Sequence, residues 1–125
     1  MPDTFAELYT QLLKSDVFTT QARQNIEQGA DGLTCALVYA EQGKPEFTLA
    51  YLLLIELSEN EKREILATSF EQRARMSNAK AEEFDSKFHR PFPLIKVEAQ
   101  KDQIAANQVR LGRRVRRETR SLPVN

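Results

Sequence analysis

The sequence predicts an all-α protein: a small helical bundle with one long helix, a proline-containing extended linker and a C-terminal basic amphipathic helix. Glycine (4) and proline (5) are scarce among the 125 residues, so few tight turns interrupt the chain. Apolar residues recur at helical spacing in several segments. We therefore divide the chain into a helical body (1–90), an extended linker (91–99) and a basic helix or tail (100–125).

Short helices are predicted for the first 57 residues. Phe5 and Tyr9 lie one helical turn apart and begin an apolar stripe. Two further helices follow, of which the second is the more apolar, and Gly43 is a suitable residue to end that helix. Pro45 suits the first turn of the next helix, which we expect to reach Leu57. A buried strand is the alternative for YLLLI (51–55), but Ala, Leu and Glu favour a helix there.

One long helix is predicted over residues 59–89, because neither Gly nor Pro occurs from Ser58 to Arg90. Ser58 can cap its first turn, where Glu59 and Glu61 suit the positive end of the helix dipole. Its apolar seam has near-heptad spacing and consists of Leu66, Phe70, Ala74, Ser77, Ala81, Phe84 and Phe88. We expect this seam to pack within the chain, and a seam shared with a second subunit is the alternative.

The linker follows from two prolines. Pro91 and Pro93 stop the long helix, because proline clashes with the preceding turn and favours extended backbone before it. We therefore expect residues 93–99 to be extended or to form a short edge strand, although no partner strand is apparent.

The C-terminal residues sort into two faces when they are placed on a helical wheel. Ile104, Leu111 and Val115 form a narrow apolar ridge. Six arginines form the opposite face: Arg110, Arg113, Arg114, Arg116, Arg117 and Arg120. We expect an amphipathic helix that continues through Gly112, although a mid-helix glycine weakens it by about 1 kcal/mol relative to alanine.

Charge is unevenly distributed, and this asymmetry is typical of binding proteins. Residues 1–100 hold 11 Lys and Arg against 16 Asp and Glu, a net −5, while residues 101–125 hold 7 against 2, a net +5. Four uses of the arginines are open. They form a solvated face against the acidic body, they dock on an acidic protein partner or a second copy, they bind nucleic-acid phosphates, or they bind a membrane surface. A membrane is unlikely, because the ridge is thin and lacks Trp and Phe.

Catalytic chemistry is not indicated by the sequence. One histidine and one cysteine cannot form a His/Cys metal site, and no phosphate-binding glycine motif occurs. We predict no catalytic residues, no metal and no cofactor. The N-terminal residues lack a signal-peptide pattern, so we expect a cytoplasmic protein. The predicted function is that of a non-enzymatic adaptor or assembly protein. The alternative is a nucleic-acid-associated protein, and a small enzyme with an unrecognised site is a third hypothesis.

Overall fold

The computed structural model describes Phe5, Tyr9 and residues 17–112. Within residues 17–112 five helices follow one another: α1 (Val17–Glu27), α2 (Gly32–Glu41), α3 (Pro45–Leu52), α4 (Glu59–Phe88) and α5 (Pro93–Arg110). Phe5 and Tyr9 are also helical, and both side chains are buried. No strand occurs among the described residues. The all-α prediction is confirmed.

The long helix α4 is confirmed over almost its whole predicted length. Its first turn is capped by Ser58: the Glu61 amide donates to Ser58 Oγ at 3.2 Å, and the Ser58 hydroxyl donates to Glu61 Oε1 at 2.9 Å. The helix ends one residue before the predicted boundary. His89 takes a left-handed conformation with φ of 57°, and its amide donates to the Asp85 carbonyl at 2.8 Å.

Helix α3 is shorter than predicted. It begins at Pro45, but it ends at Leu52, so the expected extension to Leu57 is wrong. The chain turns after Leu52 while Leu53, Leu54 and Ile55 still pack against the core. The apolar run therefore reflects burial of a turn as well as of a helix. No helix among the described residues combines the length and the apolar character needed to cross a bilayer.

The extended linker is the main error of the sequence prediction. Residues 93–99 are helical, and the break between α4 and α5 is confined to residues 89–92. Pro93 occupies the first turn of α5. The fixed φ of proline suits that position, and its missing N–H costs nothing because first-turn amides have no intrahelical acceptor. The second proline therefore starts a helix and does not prolong a linker.

Helices α4 and α5 form an antiparallel hairpin. Asp102 in the middle of α5 contacts Arg73 in the middle of α4, and Arg110 at the end of α5 contacts Glu64 near the start of α4. The contacting faces carry many small side chains, so the two backbones approach closely. The buried residues of these faces are Leu66, Phe70, Ala74, Ala81, Ala99, Ala105, Ala106 and Val109.

The predicted seam of α4 thus packs on α5 within the chain along most of its length. Ser77 and Phe84 are half-buried, and Phe88 is exposed. Phe88 lies beyond the N-terminal end of α5, because that helix begins only at Pro93. The seam is therefore covered from Leu66 to Ala81 and open at its last aromatic residue.

The turn between α2 and α3 contacts the middle of α4. Gly43 has a φ of +69°, and a Cβ atom at this position would lie 3.0 Å from the Arg73 Cα. Only glycine combines this backbone conformation with so close an approach. Next to the turn, the Tyr39 and Phe47 rings stack with centroids 4.9 Å apart. The close approach at Gly43 places the α2–α3 turn against α4, and the stacked rings join α2 to α3.

We predict that Ala81→Glu lowers the free energy of unfolding by about 3 kcal/mol or more, because it puts a charge into the α4–α5 contact where nothing pairs with it. Chemical denaturation monitored by circular dichroism measures the change. Ala79→Glu on the exposed face of the same helix is the matched control, and we expect it to change stability by less than about 0.5 kcal/mol. Equal stability of the two variants would show that Ala81 does not lie in a close helix contact.

Candidate interaction surfaces

The inner face of α5 is built from small residues and one ion pair. Ala99 and Ala106 are buried against α4. Between them lies Asp102, whose carboxylate accepts two hydrogen bonds from Arg73, from Nε and from Nη2, each at 2.9 Å. Burial lowers the pKa of Arg73, but hydrogen bonds and charge from Asp102 outweigh that effect and leave the pKa raised. The pair is therefore charged, bidentate and directional, and it aligns the two helices.

The outer face of α5, which we define as Leu94, Val97, Ile104 and the C-cap residue Leu111, carries the exposed large apolar side chains of this helix. These residues are 79%, 39%, 53% and 70% exposed. Their spacings of 3, 7 and 7 residues place them on one side of the helix. Helix α5 thus buries its alanines and exposes its leucines, the reverse of the usual distribution for a helix that only packs on its own core.

The predicted ridge is part of this outer face. Ile104 and Leu111 lie on it, and Val115 is outside the described residues. The sequence interpretation missed Leu94 and Val97, because it assigned residues 93–99 to an extended linker. Continuing the ridge spacing of three and four residues backwards from Ile104 would have found both.

The turn of the hairpin adds an aromatic cluster to this surface. Phe84, Phe88 and Phe92 contact one another, with ring centroids 5.4–5.9 Å apart. Beside them lies a cavity of about 470 Å³ lined by residues 90–95, which include Leu94. The apolar surface therefore continues from the outer face of α5 around the hairpin turn.

At the other end of the hairpin, Arg110 binds two glutamates of α4. Its Nε donates to Glu64 Oε1 at 2.8 Å, and its Nη2 donates to Glu71 Oε1 at 2.9 Å. Hydrogen bonding to Glu71 is the largest influence on Arg110 and raises its pKa further above the ordinary value. Of the six arginines of the predicted face, Arg110 is thus the one for which the structure gives a partner, and that partner is α4.

Gly112 ends the basic helix. The residue has a φ of +80°, and its amide donates to the Val109 carbonyl at 3.0 Å, which closes the last turn after Leu111. The predicted continuation of one helix through Gly112 is therefore wrong: glycine interrupts the helix here and does not merely weaken it. The other five arginines lie outside the described residues, namely Arg113, Arg114, Arg116, Arg117 and Arg120.

A second surface lies between α2 and α4, and we call it the α2–α4 groove. It is a cavity of about 160 Å³ lined by Leu37, Ala40 and Glu41 of α2 and by Glu64, Ile65 and Thr68 of α4. We call the apolar lining residues Leu37, Ala40 and Ile65 its floor and the two helices its walls. Glu41 of α2 and Glu64 of α4 supply a carboxylate from each wall. Sequence analysis did not identify this groove, because its residues come from helices far apart in the chain and no local pattern connects them.

Histidine 89, the only histidine of the chain, caps α4 at the hairpin turn. Its backbone amide donates to the carbonyl of Asp85 at 2.8 Å. Among the described residues no three or more His, Cys, Asp or Glu side chains come together in an arrangement that could hold a metal ion.

We predict that the Arg110–Glu71 pair makes stability fall in acid. Hydrogen bonding from Arg110 lowers the pKa of Glu71 below its ordinary value of 4.5. A carboxylate with a lower pKa in the folded state contributes fully above its ordinary pKa, and the contribution is lost as pH falls through the folded pKa. The stability difference between wild type and Glu71→Gln, measured by denaturation, should therefore be largest near neutral pH and shrink below about pH 4.5. A difference that does not change with pH would contradict this assignment, and Glu82→Gln, on the exposed face of α4, is the control.

Comparison with protein-family models, curated proteins and solved structures finds no match to this chain. Its function must therefore be inferred from its own surfaces: the outer face of α5 with the hairpin turn, the Arg110 cluster and the α2–α4 groove.

Proposed function

We propose that the chain is a non-enzymatic protein-interaction protein, of the adaptor or assembly type, that binds an acidic partner. In this proposal the outer face of α5 supplies the apolar contact and the arginines beyond Gly112 supply the charge. The observation that carries the proposal is the exposure of Leu94, Ile104 and Leu111 on a helix that buries alanines. A cytoplasmic location is proposed with it, on the single cysteine of the chain.

The outer face has the properties of a contact surface for a helix or a groove. Single apolar side chains are normal on protein surfaces, but four exposed ones aligned on one side of a helix, one or two turns apart, favour an interaction site. Helix α5 has 18 residues, which makes the row about 27 Å long. Full burial of each large apolar side chain contributes roughly 1.5–3 kcal/mol, so a partner that covers the row gains considerable affinity.

The chemistry of the partner follows from the charge of the C-terminal part of the sequence. Residues 101–125 carry a net charge of +5, mostly from arginine. Arginine pairs with carboxylates through two parallel hydrogen bonds, the geometry that Arg73 and Asp102 adopt within this chain. We therefore propose a partner with an apolar stripe flanked by Asp and Glu. Nucleic-acid phosphates are the alternative ligand of the same arginines.

Two lesions in the full-length chain test the proposal. The outer-face variant carries Leu94→Asp with Ile104→Asp, and the arginine variant carries Gln in place of Arg113, Arg114, Arg116 and Arg117. The control variant carries Asn78→Asp with Ala79→Asp, which adds the same charge on the exposed side of α4. Wild type is first used to retain partners from a native lysate treated with nuclease, and affinities are then measured against the purified partner, duplex DNA and single-stranded RNA.

We predict that both lesions weaken binding to the protein partner by at least about tenfold, and that the control variant binds like wild type. Binding of wild type to duplex DNA alone, with a salt slope of about −0.9 per neutralised phosphate and loss only in the arginine variant, would favour the nucleic-acid function. If both variants bind every ligand as wild type does, the outer face and the arginines are solvated surface and the proposal fails.

A further inference from the structure

We propose that the α2–α4 groove is a docking site for the arginine segment of the same chain, residues 113–117, which we call the arginine segment from here on. The groove is formed by α2 and α4 and shares no residue with the outer face of α5, so this inference goes beyond the proposed function in its binding surface, although its occupant includes four of the arginines on which the proposed function also relies. It assigns a binding surface on the acidic body to the basic end of the chain.

The floor of the groove fits one branched apolar side chain. Leu37, Ala40 and Ile65 form it, and its volume is about 160 Å³. Apolar cavities of about 150 Å³ take up a benzene-sized molecule, which is comparable in size with a branched aliphatic side chain. Leu37 is 44% exposed, so apolar surface on this floor is open to an additional side chain.

The walls of the groove fit positive charge. Glu41 lies on the α2 wall and has no ion-pair partner among the described residues. Glu64 lies on the α4 wall and binds Arg110, yet its side chain remains 61% exposed. A groove with one carboxylate on each side of an apolar floor is complementary to a ligand that has an apolar residue between two cations. Each carboxylate can then accept a charged hydrogen bond.

The arginine segment has this composition. It reads Arg-Arg-Val-Arg-Arg, so that Val115 stands between Arg114 and Arg116. The rest of the chain offers no second stretch in which a branched apolar residue is flanked by arginines on both sides. Charge complementarity extends beyond the groove, since residues 1–100 carry a net −5 and residues 101–125 a net +5.

The end of the described chain lies close to the groove. A Cβ atom added at Gly112 would run into the guanidinium of Arg63, the residue next to Glu64 on α4. Two residues earlier, Arg110 Nε lies 2.8 Å from Glu64 Oε1, on the carboxylate that forms the α4 wall. Five further residues span at most about 17 Å. The arginine segment therefore starts beside the groove, which favours docking within one chain.

Competition with a free peptide tests the docking. The probe is a fluorescent peptide of residues 112–120, and its affinity for four full-length proteins is measured by anisotropy. These are wild type, a tail variant (Arg113, Arg114, Arg116 and Arg117 to Gln with Val115→Asp), and the tail variant with either Leu37→Lys or Val38→Lys added. Leu37 and Val38 are neighbours on α2 with 44% and 43% exposure, but only Leu37 lines the groove, so the two lysine substitutions are matched.

We expect the tail variant to bind the peptide roughly tenfold or more tightly than wild type does, because a tethered segment competes at an effective concentration on the order of millimolar. Adding Leu37→Lys should abolish that binding, and adding Val38→Lys should largely preserve it. Leu94→Asp with Ile104→Asp, introduced into the tail variant, should leave peptide binding unchanged, which separates this test from that of the proposed function.

Three results would overturn the inference. The first is equal peptide affinity of wild type and the tail variant, or no binding by either. The second is equal loss of binding with Leu37→Lys and with Val38→Lys. The third is a wild-type mass that increases with concentration in sedimentation and returns to monomer with Leu37→Lys, since the occupant would then be a second copy.

Discussion

The close contact between α4 and α5 is the constraint on which the rest of the structure depends. Ala74 and Ala81 on one helix and Ala99 and Ala106 on the other are all buried, and such small side chains let the backbones approach. Alanines occupy most of the inner face of α5, where Val109 is the one large apolar side chain that is fully buried, and the other large apolar side chains are mostly exposed on the opposite side. The exposed row of Leu94, Ile104 and Leu111 is thus a direct consequence of how the hairpin closes.

Two groups of ion pairs fix how the helices are aligned along their length. Arg73 and Asp102 pair in the middle, and Arg110 binds Glu64 and Glu71 near the start of α4. Sliding α5 by one turn, about 5.4 Å, would break all of these bonds and leave Asp102, which is 8% exposed, without a cation. The alanine contact supplies proximity but little specificity, and the charged pairs supply the register.

Much of the helical content was predictable from local signals, whereas the long-range contacts were not. Ser58 as a cap, the absence of Gly and Pro after it, and Pro45 in a first turn each act within a few residues. Pro93 was misread because proline both ends and starts helices, and only the packing of the following residues on α4 distinguishes the two. Gly112 was misinterpreted for a similar reason. A helical wheel assumes that every residue continues one regular helix, and it takes no account of the ability of glycine to adopt a positive φ.

The candidate surfaces also divide into those that a local sequence pattern reveals and those that depend on long-range contacts. The ridge of Ile104 and Leu111 is visible in the sequence because it repeats within one helix. The pairing of Arg110 with Glu64, 46 residues away, has no local pattern. The α2–α4 groove is a still clearer case, since Leu37 and Ile65 belong to different helices and become neighbours only when α2 packs on α4.

The measurement that tests the central claim most directly is thiol accessibility along α5. Single cysteines replace Leu94, Ile104, Ala99 and Ala106 one at a time in a Cys35→Ala background, and the rate of reaction with a thiol reagent is compared in native and denatured protein. The structure predicts that cysteines at 94 and 104 react almost as fast in the native as in the denatured protein, and that those at 99 and 106 are strongly protected. Protection at 94 and 104 with fast reaction at 99 and 106, or equal rates at all four positions, would contradict the orientation of α5 and with it the proposed binding surface.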